Sequence, residues 1–216
     1  IIYHLRGSQM KNSFALAVLI SFIFSVSQIY SQGIFLEKGE AGVFLNGGYT
    51  GLESGYATSF GGGFALGGIF EFGFSSTTST IELNNYYYSK DIRVSSNTVS
   101  LGVVLIKKKA QLELNLGYST SDVGSDAFMV GFNVGSKIQL HKDISWYPIL
   151  SFAVGIPTAE NSGNPVTAVG ATLPLFIAKH FYLGPSFGLS DGNTSWGFTA
   201  GILISFDIDS NEDGGW

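Results

Sequence analysis

The chain has 216 residues, no cysteine, 29 glycines, 12% charged and 14% aromatic residues, and a formal net charge of -5. Charged residues are about half as frequent as the roughly 25% usual in soluble domains, cysteine-based disulfides and thiolate metal sites are excluded, and an acidic chain lacks the basic stripe that nucleic acid requires. Mean hydropathy is +0.27, yet beyond residue 32 no apolar run approaches the roughly 20 residues of a membrane helix, which leaves an insoluble β-rich chain or a transmembrane β-barrel.

In chain order, residues 1–9 precede Met10 and are expected to be an upstream extension outside the fold. Residues 10–31 have the layout of a secretory signal peptide: Lys11 as a positive start, an apolar stretch over 14–24, and Ser25 and Ser27 as a small-x-small cleavage signal. A membrane-anchor helix is the alternative, but the apolar run is short and Ser27-Gln28 and Ser31-Gln32 follow at once. The fold is expected over 40–207, with an acidic tail over 208–216.

The first strand is expected over 41–49, with Val43, Leu45 and Tyr49 in phase, followed by a loop over 50–56. Over 58–74, Phe60, Phe64, Leu66, Phe70, Phe72 and Phe74 alternate with small residues and Glu71. That run is too long for one crossing, so it splits into strands two and three at Gly67-Gly68-Ile69, the third ending near residue 80. The longest polar connection is expected over 81–93. Strand four follows over 94–106, a basic turn over 107–110, and strand five over 111–120, with Leu112, Leu114, Leu116 and Tyr118 opposite Glu113, Asn115 and Gly117. After a loop over 121–125, strand six (126–140) sets Phe128, Val130, Phe132 and Val134 against Gly131, Asn133, Gly135, Lys137 and Gln139. Strand seven (144–156) carries Trp146, Leu150 and Phe152, and strand eight (165–177) Val169, Leu173 and Leu175. Strands nine and ten flank Asp191-Gly192-Asn193, a turn signal. In the tenth, Trp196, Phe198, Ile202, Ile204 and Phe206 face Gly197, Thr199, Gly201 and Ser205. Period-two alternation marks each as a strand.

A large apolar face opposite a face of Gly, Ser, Thr and Ala is the pattern of a barrel wall in lipid. In a sandwich the small, uncharged face would meet water and aggregate. In a narrow barrel it points inward, where little side-chain volume fits. The fold class expected is therefore all-β, a closed antiparallel up-and-down transmembrane β-barrel of about ten strands, with eight as the next count. Alternate connections read as short turns and longer polar loops, the asymmetry of outer-membrane barrels. Aromatic belts are expected at two interfaces, with Tyr49, Tyr118, Phe128 and Trp196 at the loop end and Trp146, Tyr147, Phe181, Tyr182 and Phe206 at the turn end.

These features (the signal peptide, strands such as AFMVGFNVGSKIQL and SWGFTAGILISF, and the aromatic strand ending at Phe206) make the chain resemble the small outer-membrane β-barrel proteins of Gram-negative bacteria. The resemblance covers about residues 40–207. It implies location in the bacterial outer membrane, contact with its lipid, and passage through the barrel-insertion machinery. Members often end at the terminal Phe, whereas here DIDSNEDGGW follows Phe206; either the signal is internal, or Trp216 replaces it, or the tail is periplasmic.

The residues that carry chemistry are few. His4, His141 and His180 have no converging partners for catalysis or metal binding. The alternating oxygen side chains Asp207, Asp209, Asn211 and Asp213 lack the central Gly and bidentate Glu of a calcium loop and read as a solvated tail. Tyr86, Tyr87 and Tyr88 in the longest connection are a recognition patch or loop packing. The candidate site is the lumen-facing polar set Glu71, Glu113, Asn115, Asn133, Lys137 and Gln139, with Glu113 roughly opposite Asn133 if strands five and six pair. It is a hydrogen-bonded plug or a selectivity constriction. The expected function is a non-enzymatic, monomeric barrel with a structural or surface-exposed role and a narrow lumen, without cofactor, metal or nucleic-acid partner. A passive channel for small or hydrophobic solutes is the alternative, and a secreted soluble barrel binding a small ligand the further one. A membrane-embedded hydrolase would need a Ser, His or acidic constellation at the loop rim, and none assembles.

Overall fold

The computed structural model describes residues 35–37, 39–85, 88–107, 110–123, 126–158, 164–191 and 193–208. The expected upstream extension and signal peptide, Tyr86 and Tyr87, and the tail beyond 208 lie outside these residues. Ten antiparallel strands form one sheet that closes on itself. They are β1 (Glu40–Leu52), β2 (Gly55–Leu66), β3 (Phe70–Asn85), β4 (Tyr88–Lys107), β5 (Gln111–Ser121), β6 (Ala127–Gly135 and Ile138–His141), β7 (Ile144–Trp146 and Ile149–Pro157), β8 (Val166–Thr172 and Leu175–Ile177), β9 (Phe181–Ser190) and β10 (Asn193–Asp207). Each strand pairs with the next, and β1 pairs with β10 from Glu40↔Asp207 to Leu52↔Ser195, which closes the ring. Both ends of the barrel chain therefore meet at one rim, the turn end.

Closure explains the alternation. The ring is continuous from β1 round to β10, so no sheet edge runs the length of the wall. Val43, Phe60, Phe72, Val99, Leu150, Phe187, Trp196 and Ile204 stand outward and exposed, while small residues of the opposite parity face in. The split at Gly67-Gly68-Ile69 is a three-residue turn between Leu66 and Phe70, with both glycines at positive φ (63° and 58°) and Ile69 N–H donating to Leu66 O at 3.0 Å. That geometry suits glycine, which has no Cβ to clash at positive φ.

The expected contrast between short turns and long loops fails at 50–56 and 81–93, while the connections over 122–126 and 158–165 are longer than the turns. Glu53-Ser54 alone joins β1 to β2, so 50–56 is mostly strand. The long connection at 81–93 is instead a continuation of β3 and β4, paired from Ile81↔Ile92 to Asn85↔Tyr88. The polar residues there satisfy one another's backbones across a hairpin, so no loop is needed. What distinguishes the two ends is overhang: β4 is 20 residues long, its neighbour β5 only 11.

Strands six to eight are also less regular than their sequences suggest. A dislocation crosses the wall through Ser136-Lys137, Tyr147-Pro148, Leu173-Pro174 and Gly184-Pro185, between the rungs Gly135↔Ile149 and Ile138↔Trp146 and their counterparts on β8 and β9. Proline cannot donate to a ladder. Each strand pair keeps one bond across the break, from Ser136 N–H to Pro148 O at 3.2 Å, Tyr147 N–H to Pro174 O at 3.0 Å and Leu173 N–H to Pro185 O at 3.0 Å. Gly184 is required there, because a Cβ would lie 2.6 Å from Pro174 Cα. Beyond the dislocation, Ile138–His141 pairs only with β7, since β5 begins at Gln111 opposite Gly135.

Candidate functional site

The lumen is filled in layers. At the turn end Phe44, Ala65, Tyr147, Ile149, Phe176, Tyr182 and Leu203 point inward and are joined by Phe35 and Leu36, which precede the first strand. The Phe35 ring lies 4.4 Å from that of Phe176, 4.9 Å from Tyr147 in an edge-on arrangement and 6.1 Å from Tyr182. Leu36 is almost fully buried. Phe35 and Leu36 thus form, with the inward rings, an apolar plug in the turn end of the barrel. At the opposite end Ala57, Ile81 and Val94 form a second apolar layer with Leu52, Ile92 and Val123.

Between them lies the polar layer expected from the sequence. Glu71, Glu113, Asn115 and Asn133 are all buried on the lumen side, together with Asn46. The register sets Glu113 opposite Asn133, and Asn133 Nδ2 donates to Glu113 Oε2 at 3.3 Å. Glu71 and Asn115 flank Gly102 on the strand between them. Gly102 is small because a Cβ there would collide with Glu113 Oε1 and approach Asn115 Oδ1 to 3.0 Å. Asn115 Nδ2 and Asn46 Oδ1 have no hydrogen-bond partner among the described residues. Thr98 and Ser119 bond to each other at 3.0 Å two inward rungs nearer the loop end. Among the described residues no group of three or more His, Asp or Glu is placed to hold a metal ion.

Lys137 and Gln139 are not in this layer. They share the inward parity of β6, but the dislocation carries them past the last rung with β5, where the wall no longer encloses them. Lys137 Nζ meets Glu37 Oε1 at 3.4 Å and lies 6.0 Å from the centre of the Tyr147 ring. Gln139 folds onto its own hairpin, donating to Ile144 O at 3.3 Å and accepting from Ser145 Oγ at 2.9 Å.

Of the aromatic set, Tyr49, Tyr118, Phe128, Trp196, Phe181 and Phe206 face outward and exposed, and Trp146 is half-buried with outward parity. Tyr118 Oη also donates to Asp126 Oδ2 at 2.9 Å. Tyr147 and Tyr182 do not belong to an outer belt. Each follows an outward aromatic directly, and neighbours on a strand take opposite faces; Phe181 is 54% exposed and Tyr182 3%. The Tyr182 ring occupies the space over Gly201, its cross-strand partner. Sequence reasoning missed Phe35 and Leu36, which lie before the alternating pattern begins; their one signal is an apolar pair, Phe35-Leu36, next to a charged one, Glu37-Lys38.

No protein-family model and no curated protein matches the chain. It is similar to solved structures of transmembrane β-barrels. One is the β domain of the Bordetella autotransporter BrkA, at 14% identity over 78% of this chain and 99% of that one, with a TM-score of 0.41. Another is the KdgM porin, at 8% identity over 76% and 99%, TM-score 0.44. A third is the N-terminal β-barrel domain of Pseudomonas aeruginosa OprF, at 9% identity over 78% and 100%, TM-score 0.34.

Proposed function

We propose that the chain is a bacterial outer-membrane protein with a sealed barrel and a structural or surface-exposed role, without enzymatic activity. The observation that carries this reading is the inversion of the usual order: large apolar side chains cover the outside of a closed ring, and the inside holds buried Glu, Asn, Ser and Thr. An apolar exterior of that extent greatly exceeds the few hundred Å² of exposed patch on soluble monomers and is solvated by acyl chains instead. The apolar layers at both lumen ends favour a sealed wall over a pore. On this reading the turn end, where Glu40 meets Asp207, faces the periplasm, and the β3–β4 overhang stands outside the cell.

The test is planar-bilayer recording on the refolded mature protein, after heat-modifiable gel migration has established folding and insertion. A silent bilayer is expected. Stable conductance steps overturn the sealed lumen, and a folded chain that stays soluble without detergent overturns the membrane assignment.

A further inference from the structure

A cavity of about 400 Å³ opens at the turn end, beside the place where the β6 extension loses its partner. Its size falls within the roughly 300–1,000 Å³ of ligand sites. Two of its wall residues are neighbours of opposite facing: Val104, which points into the lumen and is 8% exposed, and Leu105, which points outward and is 59% exposed. They take opposite faces as consecutive strand residues do, and Leu105 is the extra residue of a β-bulge between Val104↔Glu113 and Ile106↔Leu112. The cavity is thus bounded by one residue that faces the barrel interior and one that faces the outer surface, where acyl chains lie on the membrane reading above.

Its lining is amphipathic: Ile69, Val104 and Leu105 come from the β2–β3 turn and β4, Gln111 from β5 and Lys137 from between the two parts of β6, beside Tyr147. Among the described residues lining it, Lys137 is the one cation and Glu37 the one anion. Their pairing at 3.4 Å is exposed, with side-chain exposures of 34% and 66%, and an exposed pair of this kind contributes only about 0–1 kcal/mol. Glu37 lies outside the strands, so it yields its place without breaking a ladder.

We propose that this cavity binds a single-chain amphiphile with an anionic head, its chain against Ile69, Val104 and Leu105 and its head on Lys137 in place of Glu37. A carboxylate and a phosphate monoester share the required chemistry. The proposal rests on the membrane assignment and not on the sealed lumen.

Photo-crosslinking tests it, with a diazirine-bearing fatty acid titrated into phosphatidylcholine vesicles that hold the inserted protein, and adducts mapped by mass spectrometry. Saturable labelling near Ile69 and Leu105 is expected. Lys137→Gln should raise the half-saturation concentration about tenfold, the loss of one charge-assisted contact. Glu37→Gln should lower it, because the head no longer competes for the lysine; a merely structural pair would not move the two variants in opposite directions. The matching fatty alcohol should respond to neither. A diazirine lysophosphatidate run in parallel distinguishes the head groups: labelling by the acid, by the lysophosphatidate or by both supports the site and names its ligand. Adducts spread evenly over the outer face, or equal half-saturation for acid and alcohol in all three proteins, overturn it. Heat-modifiable migration is checked in each sample first. A chain that fails to insert sinks the membrane assignment, whereas an inserted chain with unselective labelling sinks the ligand alone.

Discussion

At the scale of single residues, the inward glycines Gly73, Gly102, Gly188 and Gly201 are spaces already filled by a neighbouring side chain. Gly102 illustrates it: a Cβ there would meet Glu113 Oε1 and come within 3.0 Å of Asn115 Oδ1. Both obstacles are side-chain ends, so the conflict belongs to a pair and a double-mutant cycle can isolate it. Gly102→Ala should destabilise the inserted barrel by about 1–3 kcal/mol, as overpacking of a tight interior does. In a Glu113→Ala background the same change should cost much less, and urea unfolding in lipid vesicles measures both. Equal costs in the two backgrounds would mean that the glycine serves the backbone. The inward glycines and Glu113, Asn115 and Asn133 were legible in the sequence, because strand parity assigns each residue a face. Tyr147 and Tyr182 follow their parity into the lumen, although their residue type suits an interface belt. Lys137 and Gln139 have the right parity and the wrong height: alternation gives the face a side chain takes, and only the register with β5 gives where the wall stops.

At the scale of elements, the tight turns at the turn end differ in how well their residues suit them. Gly67 and Gly68 accept positive φ freely, whereas Ala178 and Lys179 hold φ of 53° and 63° between β8 and β9. A left-handed conformation costs an L-residue about 1–2 kcal/mol. Lys179→Gly should therefore stabilise the barrel by about 1 kcal/mol, and Gly68→Ala should destabilise it by a similar amount; urea midpoints at unchanged slope report both. If Lys179→Gly is neutral or destabilising, the lysine side chain contributes more at the rim than its backbone strain costs. The strand positions were legible because each has its own alternation. The overhang of β3 and β4 was not, since Ser, Thr, Asn and Tyr over 75–100 suit a polar loop and a solvent-exposed hairpin equally, and pairing alone decides between them. The dislocation across β6 to β9 is visible in the sequence only as Pro148, Pro174 and Pro185, which are far apart along the chain and meet because the register brings them level.

At the scale of the whole molecule, the barrel combines an apolar outer wall with an interior that holds an apolar layer at each end and a polar layer between them. The turn-end plug is the layer that the strand pattern could not reveal, because Phe35 and Leu36 enter the lumen from before the first strand. Removing it separates stability from sealing. Phe35 touches three inward rings, and Phe→Ala in a packed core costs about 3–5 kcal/mol; its segment precedes the ladder and can leave without breaking it, so the loss here should fall below that range. Conductance should not change. Behind the plug remain the layer of Glu71, Glu113, Asn115, Asn133 and Asn46, then Met129 on Gly117, then the Ala57, Ile81 and Val94 layer at the far end. Phe35→Ala with Leu36→Ala should therefore give a less stable barrel that is as silent in a planar bilayer as the parent. If the double variant conducts, the plug is the only seal, the polar layer is wet and continuous, and Glu71 and Glu113 become the residues to neutralise in search of altered ion selectivity.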